Sequence, residues 1–398
     1  MLNLDKNKHY LLACSGGPDS MALFNMLINE GYKFSVALVN YHLREESNQE
    51  EEMVKEYSSK YGVTFYSLTV EERIGSSNVE KKCRDIRYRF FVELVNKYRF
   101  DAVLVAQHQD DLIETFLLQK RRKNLVLFYG IKEKGQYQGV EIIRPLLGKT
   151  KGELLDYCNK NNIPYAIDKT NLEDTYLRNK IRHQIVEKMS LEERNNVLKE
   201  IEDNNIELQS VLDRLLMIDK KDYCSLTDKD LCYALVMMGR KLKDDFKISK
   251  RQVLELRKIM ASDKANISLR VDGLIFYKEY NDFGFRRVES GSAYSLKLEK
   301  PGTMDTEFFF LDFNGDTSNR NVSPSDYPLT IRTGKPSDVY QIKSYKKTLR
   351  RLFIDWKMPA YLRKRWPVIE NKDGIIVYVP RYQKDFLISP DCNFYVKY

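Results

Sequence analysis

The chain contains 398 residues, of which 42% are hydrophobic, and its 66 basic and 57 acidic residues give a net charge of +9. This length accommodates two or three domains, and the basic excess favours an anionic partner, with nucleic acid as the first candidate. The six cysteines form no CxxC pair, which argues against a zinc ribbon and against a dithiol redox centre. No stretch approaches the roughly 20 apolar residues of a membrane span, which argues against a membrane protein. Scattered single cysteines favour the cytoplasm.

A glycine-containing loop follows the first predicted strand, an apolar run over residues 9–14. Residues 15–20 read SGGPDS, and an apolar helical pattern continues from Met21. Two glycines permit a tight turn that brings backbone N–H groups near an anion, and the proline suits the first turn of a helix whose dipole faces the loop. Since no Gly-Lys-Ser/Thr follows, this is not the usual P-loop. We predict phosphate binding by Ser15, Gly16, Gly17, Pro18, Asp19 and Ser20, the alternative being a simple Gly-Pro turn with a helix cap.

Strand and helix patterns then alternate along the chain. Strand-like runs cover residues 34–39, 63–70 and 102–106, and helical patterns cover 46–61, 78–98 and 109–120. This order predicts an α/β fold with a doubly wound, mostly parallel sheet, whose ligands bind beyond the carboxyl ends of the strands. The loop at Ser15 and the regions of Asn40 and His108 all follow strand ends, so we expect them to meet in one crevice.

Three carboxylates stand at the start of the helix that follows the strand at 102–106. Asp110 and Glu114 are four residues apart and Asp111 and Glu114 three apart, so their side chains share or border one helical face. Such hard oxygen ligands could hold Mg²⁺ against ATP phosphates, or they could simply complement the helix dipole. His108, just before them, is either a phosphate contact or an ordinary histidine at a strand end.

After about Lys149 the pattern changes. Helical segments cover 151–162, 174–188 and 191–219, a small mixed unit extends to residue 290, and residues 295–398 contain short strands, turns and one basic helix. The Ser-Gly-Ser stretch at 290–292 marks a boundary. We therefore predict a first domain over 1–190, a helical and mixed domain over 191–290, and a smaller α+β domain over 291–398.

Several segments resemble a known enzyme family. The SGGPDS loop resembles that of the ATP-pyrophosphatase, or PP-loop, enzymes, which have an adenine nucleotide alpha hydrolase-like fold and cleave ATP between the α and β phosphates. Together with QHQDDLIETFLL it is similar to the tRNA(Ile)-lysidine synthetases. Gln107 stands where that family usually has histidine, and Asn40 stands where it commonly has aspartate. Further matching segments are VNYHLR at 39–44, RDIRY at 84–88, DKTN at 168–171, YLRNKIR at 176–182, LFIDWKMP at 352–359 and RWP at 365–367.

This resemblance implies a two-step ligation on the wobble cytidine of a tRNA(Ile) with a CAU anticodon. ATP first adenylates the C2 oxygen with release of pyrophosphate, and the amine of free L-lysine then displaces AMP. We expect ATP and Mg²⁺ as cofactors, with His108 joining residues 15–20 at ATP. Asp19, Asp110 and Asp111 are the expected metal ligands, Asp110, Asp111 and Glu114 the catalytic carboxylates, and Glu114 the candidate to orient the lysine ammonium. Domain 1–190 is then catalytic and the other two bind tRNA, with a homodimer left open.

Basic residues supply the expected tRNA contacts. Arg178 and Arg182 are four apart on one helical face, a geometry suited to two adjacent phosphates, unless they form a solvated helix paired with Asp174. Residues 343–365 contain nine Lys/Arg and only one acid, Asp355, interleaved with aromatic residues that either stack on RNA bases or pack a core. The expected contacts are Arg84, Arg87, Arg121, Arg122, Arg178, Asn179, Arg182, Lys346, Lys347, Arg350 and Arg351.

Two other functions remain open on the sequence. Thiolation enzymes of the same fold also adenylate a tRNA base, but they typically use reactive cysteines, often as CxxC, which this chain lacks. A catalytically silent, nucleotide-dependent RNA-binding protein would not need the carboxylates at 110, 111 and 114. Release of pyrophosphate separates it from an enzyme.

Overall fold

The computed structural model describes ten stretches of the chain, and the side chains of Glu80, Leu177 and Asn179 are outside the described set. These stretches are residues 1–42, 47–70, 79–123, 125–166, 177–280, 282–288, 293–314, 322–342, 345–382 and 394–397. They form two compact units, Met1–Met217 and Ile218–Tyr398. The predicted long helix belongs to the first unit, and the division into three domains with boundaries at 190 and 290 stays a prediction.

A six-stranded sheet organises the first unit. Its strands are β1 (His9–Ala13), β2 (Lys33–Asn40), β3 (Phe65–Thr69), β4 (Ala102–Val105), β5 (Lys134–Tyr137) and β6 (Val140–Ile143), in the order β3-β2-β1-β4-β6-β5. All pairs are parallel except β5–β6. The strand order reverses between β1 and β4, so their carboxyl ends border the crevice where such sheets bind ligands. The predicted doubly wound fold is confirmed.

Helices cover both faces of this sheet. The helices of this unit are α1 (Pro18–Asn29), α2 (Ser47–Lys60), α3 (Val79–Tyr98), α4 (Gln109–Arg122), α5 (Lys151–Lys160), α6 (Leu177–Gln184) and α7 (Leu191–Leu216). Successive strand residues point to opposite faces, and therefore Leu12 and Leu104 pack in one apolar cluster while Leu11 and Val103 pack in another.

A third apolar cluster places α6 and α7 against the acidic helix α4. Ile113 of α4 packs with Ile181 of α6 and with Val186, and Val197 of α7 lies against the same cluster. This packing brings residues far apart in sequence next to the first turns of α4.

In its described residues the second unit begins with two helices beside a three-stranded antiparallel sheet, and antiparallel sheets of four, three and two strands follow. Its first part comprises α8 (Asp228–Arg240), α9 (Lys250–Ala261), β7 (Asn266–Val271), β8 (Leu274–Glu279) and β9 (Asp282–Arg287). Its second part comprises β10 (Ser295–Leu298), β11 (Thr303–Asp305), β12 (Phe309–Asp312), β13 (Leu329–Thr333), β14 (Val339–Ile342), β15 (Tyr345–Thr348), α10 (Leu349–Asp355), α11 (Ala360–Arg363), β16 (Pro367–Glu370), β17 (Ile376–Tyr378) and β18 (Phe394–Val396).

Aromatic residues in and just after the basic range 343–365 pack the core of this second part. Phe353 and Trp366 are buried, and the Trp366 indole N–H donates to the Pro380 carbonyl at 2.7 Å. Trp356 is half-buried against the same cluster. Among the described residues, no helix is both long enough and apolar enough to span a membrane.

Candidate active site

The SGGPDS loop forms a tight turn between β1 and α1. Gly16 has φ +79°, a conformation that favours glycine, and a Cβ there would lie 3.4 Å from side-chain carbons of Met53 and Val54. Gly17 is the N-cap of α1 and Pro18 its first residue. The Ser20 hydroxyl donates to the Gly17 carbonyl at 3.0 Å. Helix α1 therefore begins within the loop, and the free backbone N–H groups at its N-terminus are suited to binding an anion.

His108 links this loop to α4. Its Nδ1 accepts from the Asp110 N–H at 3.3 Å, and its Nε2 lies 3.5 Å from Asp19 Oδ2 and 3.6 Å from Asp111 Oδ2. Burial favours the neutral imidazole, but the carboxylates of Asp19, Asp111 and Asp110 outweigh burial and raise the pKa of His108. Asp19 Oδ1 is buried and has no hydrogen-bond partner among the described residues.

Two arginines of α6 contact the carboxylates of α4. Arg178 donates to Glu114 Oε2 at 3.0 Å and to Asp111 Oδ1 at 3.2 Å. Arg182 donates to both Glu114 oxygens and, at 3.2 Å, to Asp111 Oδ1. Glu114 is fully buried. The expected pair of phosphate-binding arginines therefore faces two carboxylates in this structure. Asp174, their partner in the alternative interpretation, lies outside the described residues.

The third carboxylate, Asp110, is bound by an arginine of α7. Arg194 donates through Nη1 and Nη2 to the two Asp110 oxygens, at 2.9 and 3.2 Å. Sequence reasoning missed Arg194, because nothing in the spacing of residues 110 and 194 relates them. The expected role of Asp110 as a metal ligand stays a prediction.

A cavity of about 430 Å³ lies at the carboxyl ends of β1 and β4. Ser15, Asp19 and Ser20 line it, as do Asp111 and Arg178 from the helices α4 and α6. Arg84, Arg87 and Tyr88 of α3 also line it. The SGGPDS loop and residues next to Asn40 and His108, namely Val39, Tyr41 and Gln107, thus line one crevice, as the strand order predicts. The two arginines of α3 were not part of that predicted crevice. Asp110 and Glu114 do not line this cavity.

The other expected site residues lie elsewhere. Arg121 and Arg122 are exposed in the last turn of α4. Lys346, Lys347, Arg350 and Arg351 belong to the second unit, on β15 and α10. Asn179 lies on α6, but its side chain is outside the described set. Among the described residues, no group of three or more His, Cys, Asp and Glu has an arrangement that could hold a metal ion.

Comparison with known proteins identifies the family. A PP-loop domain matches residues 1–189, and a TilS substrate C-terminal domain matches residues 329–387. The tRNA(Ile)-lysidine synthase of Mesoplasma florum is 34% identical, over 89% of this chain and 93% of that protein. The corresponding protein of Mycoplasma mycoides is 32% identical over 95% and 98%, and that of Shouchella clausii 27% over 96% and 92%.

The chain belongs to the tRNA(Ile)-lysidine synthase family. The resemblance noted in the sequence is thereby confirmed.

At position 40, where the resemblance noted in the sequence led us to expect aspartate, the asparagine has partners that suit an amide. The buried Asn40 amide donates to Glu51 Oε2 and to Asn48 Oδ1, both at 2.9 Å. Its Oδ1 accepts from the His42 N–H at 3.0 Å. A carboxylate at position 40 would face that of Glu51, so the amide is needed in this chain.

Gln107, which replaces a histidine of the tRNA(Ile)-lysidine synthase family, also has a partner. Arg144, just beyond β6, donates through Nε to Gln107 Oε1 at 2.6 Å and through Nη1 to the Lys132 carbonyl at 3.0 Å.

Tyr41 lines the cavity, and its hydroxyl donates to the Cys83 carbonyl of α3 at 2.7 Å. Burial raises the pKa of Tyr41 to about 12, so its hydroxyl stays protonated and able to donate. Sequence reasoning assigned no role to Arg144 or Tyr41.

Proposed function

We propose that this chain joins free lysine to the wobble cytidine of a tRNA(Ile) with a CAU anticodon. The cytidine C2 oxygen attacks the α phosphorus of ATP, and pyrophosphate leaves. The lysine ε-amine then attacks C2 and gives up its protons as AMP departs, so one ATP yields one AMP and one pyrophosphate. The observation that carries this proposal is the SGGPDS loop facing the Asp111 carboxylate across one cavity, in a chain 34% identical to a tRNA(Ile)-lysidine synthase.

The loop is suited to the leaving pyrophosphate. The N-terminus of α1 and the Ser15 hydroxyl would donate to its oxygens, and the Ser20 hydroxyl would do so by turning away from the Gly17 carbonyl. The lysine of the usual P-loop is absent, which fits cleavage between the α and β phosphates instead of transfer of the γ phosphate.

Two carboxylates fit the Mg²⁺ expected with ATP. Asp19 and Asp111 both line the cavity, and the free Oδ1 of Asp19 is a hard oxygen ligand. When bound there, the ion would offset charge on the departing pyrophosphate. Asp110 does not line the cavity, and both its oxygens contact Arg194, so we assign Asp110 to holding α4 in place.

The arginines of α6 change the roles that we assign to the other two carboxylates. Glu114 is fully buried under Arg178 and Arg182, so it orients these arginines and does not contact lysine. Asp111 is the carboxylate of α4 that lines the cavity, and we assign the approach of the lysine ammonium to it. Arg178, which also lines the cavity, would face the charge that develops on the α phosphate.

The acceptor tRNA is proposed to contact basic residues in both units. Arg84 and Arg87 lie at the cavity, and Lys346 and Arg350 are exposed in the second unit. Such charges would supply salt-dependent affinity for phosphates. A homodimer stays a prediction.

The test incubates the purified chain with ATP, labelled lysine and a tRNA(Ile) transcript bearing CAU. We expect AMP, pyrophosphate and label in the tRNA in equal amounts, and mass analysis should place the adduct on the wobble cytidine. Asp111→Asn should abolish the product, whereas Asp85→Asn, an acid of α3 that does not line the cavity, is the matched control. Pyrophosphate release without lysine incorporation, or transfer from a sulfur donor, would refute this function in favour of a thiolation enzyme. No pyrophosphate at all would indicate a silent RNA-binding protein.

A further inference from the structure

Gln107 and His108 follow β4 and make contacts on different elements. His108 approaches Asp19 of the loop, whereas Gln107 contacts Arg144, just beyond β6. Gln107 also lines the 430 Å³ cavity together with Tyr88 of α3. Gln107 is therefore at the cavity wall without belonging to the network of His108 and the loop.

The contact with Arg144 fixes which way the Gln107 amide points. A guanidinium can only donate, so the amide oxygen must face Arg144 Nε, at 2.6 Å, and the NH₂ group must point away from it. Arg144 is itself held by the Lys132 carbonyl. Among the described residues, none accepts a hydrogen bond from Gln107 Nε2. This nitrogen is also not fully buried, and Gln107 lines the cavity.

The surroundings of Gln107 suit a nucleobase as well as the tRNA phosphates that Arg84 and Arg87 are expected to contact. The Arg84 and Arg87 guanidinium groups lie 5.3 and 6.0 Å from the centre of the Tyr88 ring, giving flat surfaces beside the cavity. The phosphate-binding loop lies at β1, and the groups that approach it are His108 and Asp19. The amide N–H is a neutral donor, which matches the neutral N3 and O2 acceptors of a cytosine.

We propose that Gln107 binds the acceptor base, donating from Nε2 to an acceptor atom on the Watson–Crick edge of the cytosine. Arg144 is a positioning residue that keeps the donor, not the oxygen, turned toward the cavity. A histidine at this position would also offer a ring N–H, so the proposal requires a hydrogen-bond donor at position 107 and not the amide itself. This inference rests on the proposed function and names the residue that recognises its acceptor.

Gln107→Glu separates donation from packing. The glutamate keeps the size of glutamine and an oxygen for Arg144, but it replaces the NH₂ group with a second oxygen and adds a negative charge beside the Arg144 guanidinium. We expect kcat/KM for tRNA to fall on the order of ten- to a hundredfold, while KM for ATP and the midpoint of thermal unfolding stay the same. Gln107→His restores a donor and should stay within a fewfold of the unmodified chain.

Arg144→Lys is the second variant, and it keeps the charge but not the planar donor. The amide loses its fixed orientation, and we expect a smaller loss of kcat/KM that is again confined to tRNA. This variant also tests the proposal if Gln107→Glu fails to fold.

Three results would overturn the inference. If kcat/KM for tRNA in Gln107→Glu stays within twofold of the unmodified chain, Gln107 serves only as a partner of Arg144. A rise in KM for ATP alone would place the donor at the nucleotide. Equal losses in Gln107→His and Gln107→Glu would show that shape matters and donation does not. An unmodified chain that releases no pyrophosphate would instead refute the proposed function itself.

Discussion

Arg194 binds both oxygens of the Asp110 carboxylate, with Nη1–Oδ1 and Nη2–Oδ2 distances of 2.9 and 3.2 Å. The two side chains are 13% and 4% exposed. Arg194 also donates to the Val186 carbonyl at 2.7 Å. Asp110 lies in the first turn of α4 beside Asp111, so this pair ties α7 to the turn that carries the carboxylate of the cavity. Two parallel hydrogen bonds also set the orientation of that turn.

Removing one member of this pair should be worse than removing both. Arg194→Met leaves the Asp110 charge buried and unpaired, and we expect the free energy of unfolding to fall by about 3–5 kcal/mol. In Asp110→Asn/Arg194→Met neither charge of this pair remains, so most of that loss should be recovered. Urea unfolding of the single and double variants measures the difference. A double variant no more stable than Arg194→Met would contradict this account.

The arginines of α6 allow a second test, between ion pairing and phosphate contact. Arg178 and Arg182 face the Glu114 and Asp111 carboxylates, so their charges are already matched. We expect Arg178→Ala and Arg182→Ala to slow pyrophosphate release and to leave the slope of log affinity for tRNA against log salt unchanged. A lysine or arginine bound to a phosphate would reduce that slope by roughly one when removed. A reduced slope would support the sequence-based assignment of these arginines to tRNA.

Local sequence patterns predicted the sheet, the loop and the acidic helix. They could not predict which side chains contact the residues of these elements. The SGGPDS loop and the acids at 110, 111 and 114 follow strands β1 and β4, and parallel strands bring their carboxyl ends together. The partners of Glu114 and Asp110 depend on how α6 and α7 pack on α4. Arg182 is 68 residues from Glu114 and Arg194 is 84 from Asp110, separations that no helical or strand period relates.

Asn40 and Glu51 are closer in sequence and allow a third test. Asn40→Asp restores the residue common in the family, but it sets a buried carboxylate against Glu51, where the amide N now lies 2.9 Å away. We expect a loss of about 1–3 kcal/mol in the free energy of unfolding, because the lost donor leaves both carboxylates unsatisfied. In Asn40→Asp/Glu51→Gln the donor moves to the other residue, and stability should return.

The binding of ATP by the SGGPDS loop should change in the same order as stability does between Asn40→Asp and the double variant. Helix α2, which begins close to Asn40, carries the Met53 and Val54 side chains that lie nearest to Gly16. KM for ATP should therefore rise in Asn40→Asp and recover in the double variant. If Asn40→Asp is as stable as the unmodified chain, the contact with Glu51 does not explain the asparagine.

The charge of His108 predicts a pH dependence of stability. Burial opposes the charged form of His108, which also gives up the hydrogen bond from the Asp110 N–H to Nδ1, but the surrounding carboxylates raise the pKa of His108 above the ordinary value of about 6.5. A raised pKa in the folded state stabilises the protein fully below the unfolded pKa, and this contribution is lost as pH rises through the folded pKa. The difference in unfolding free energy between the unmodified chain and His108→Gln should thus be largest below about pH 6.5 and shrink above it. A difference independent of pH would contradict a charged His108.

The hairpin formed by β14 and β15, with the start of α10, offers a test matched in charge. Lys347 and Arg351 both contact Asp355, at 2.8 and 3.2 Å, whereas among the described residues Lys346 and Arg350 have no carboxylate partner. Lys346→Ala/Arg350→Ala and Lys347→Ala/Arg351→Ala remove the same charge. The first pair is free to bind phosphates, whereas the second must give up Asp355 to do so.

We therefore expect Lys346→Ala/Arg350→Ala to weaken tRNA binding more and to flatten its salt dependence, by roughly 0.7 to 0.9 per lost phosphate contact. Asp355→Asn should act in the opposite direction, since it releases Lys347 and Arg351 for phosphates. Filter binding over a range of salt concentrations measures affinity and slope together. Equal effects of the two double variants would show that the pairing with Asp355 does not matter, and no effect of either would remove this hairpin from the tRNA-binding surface.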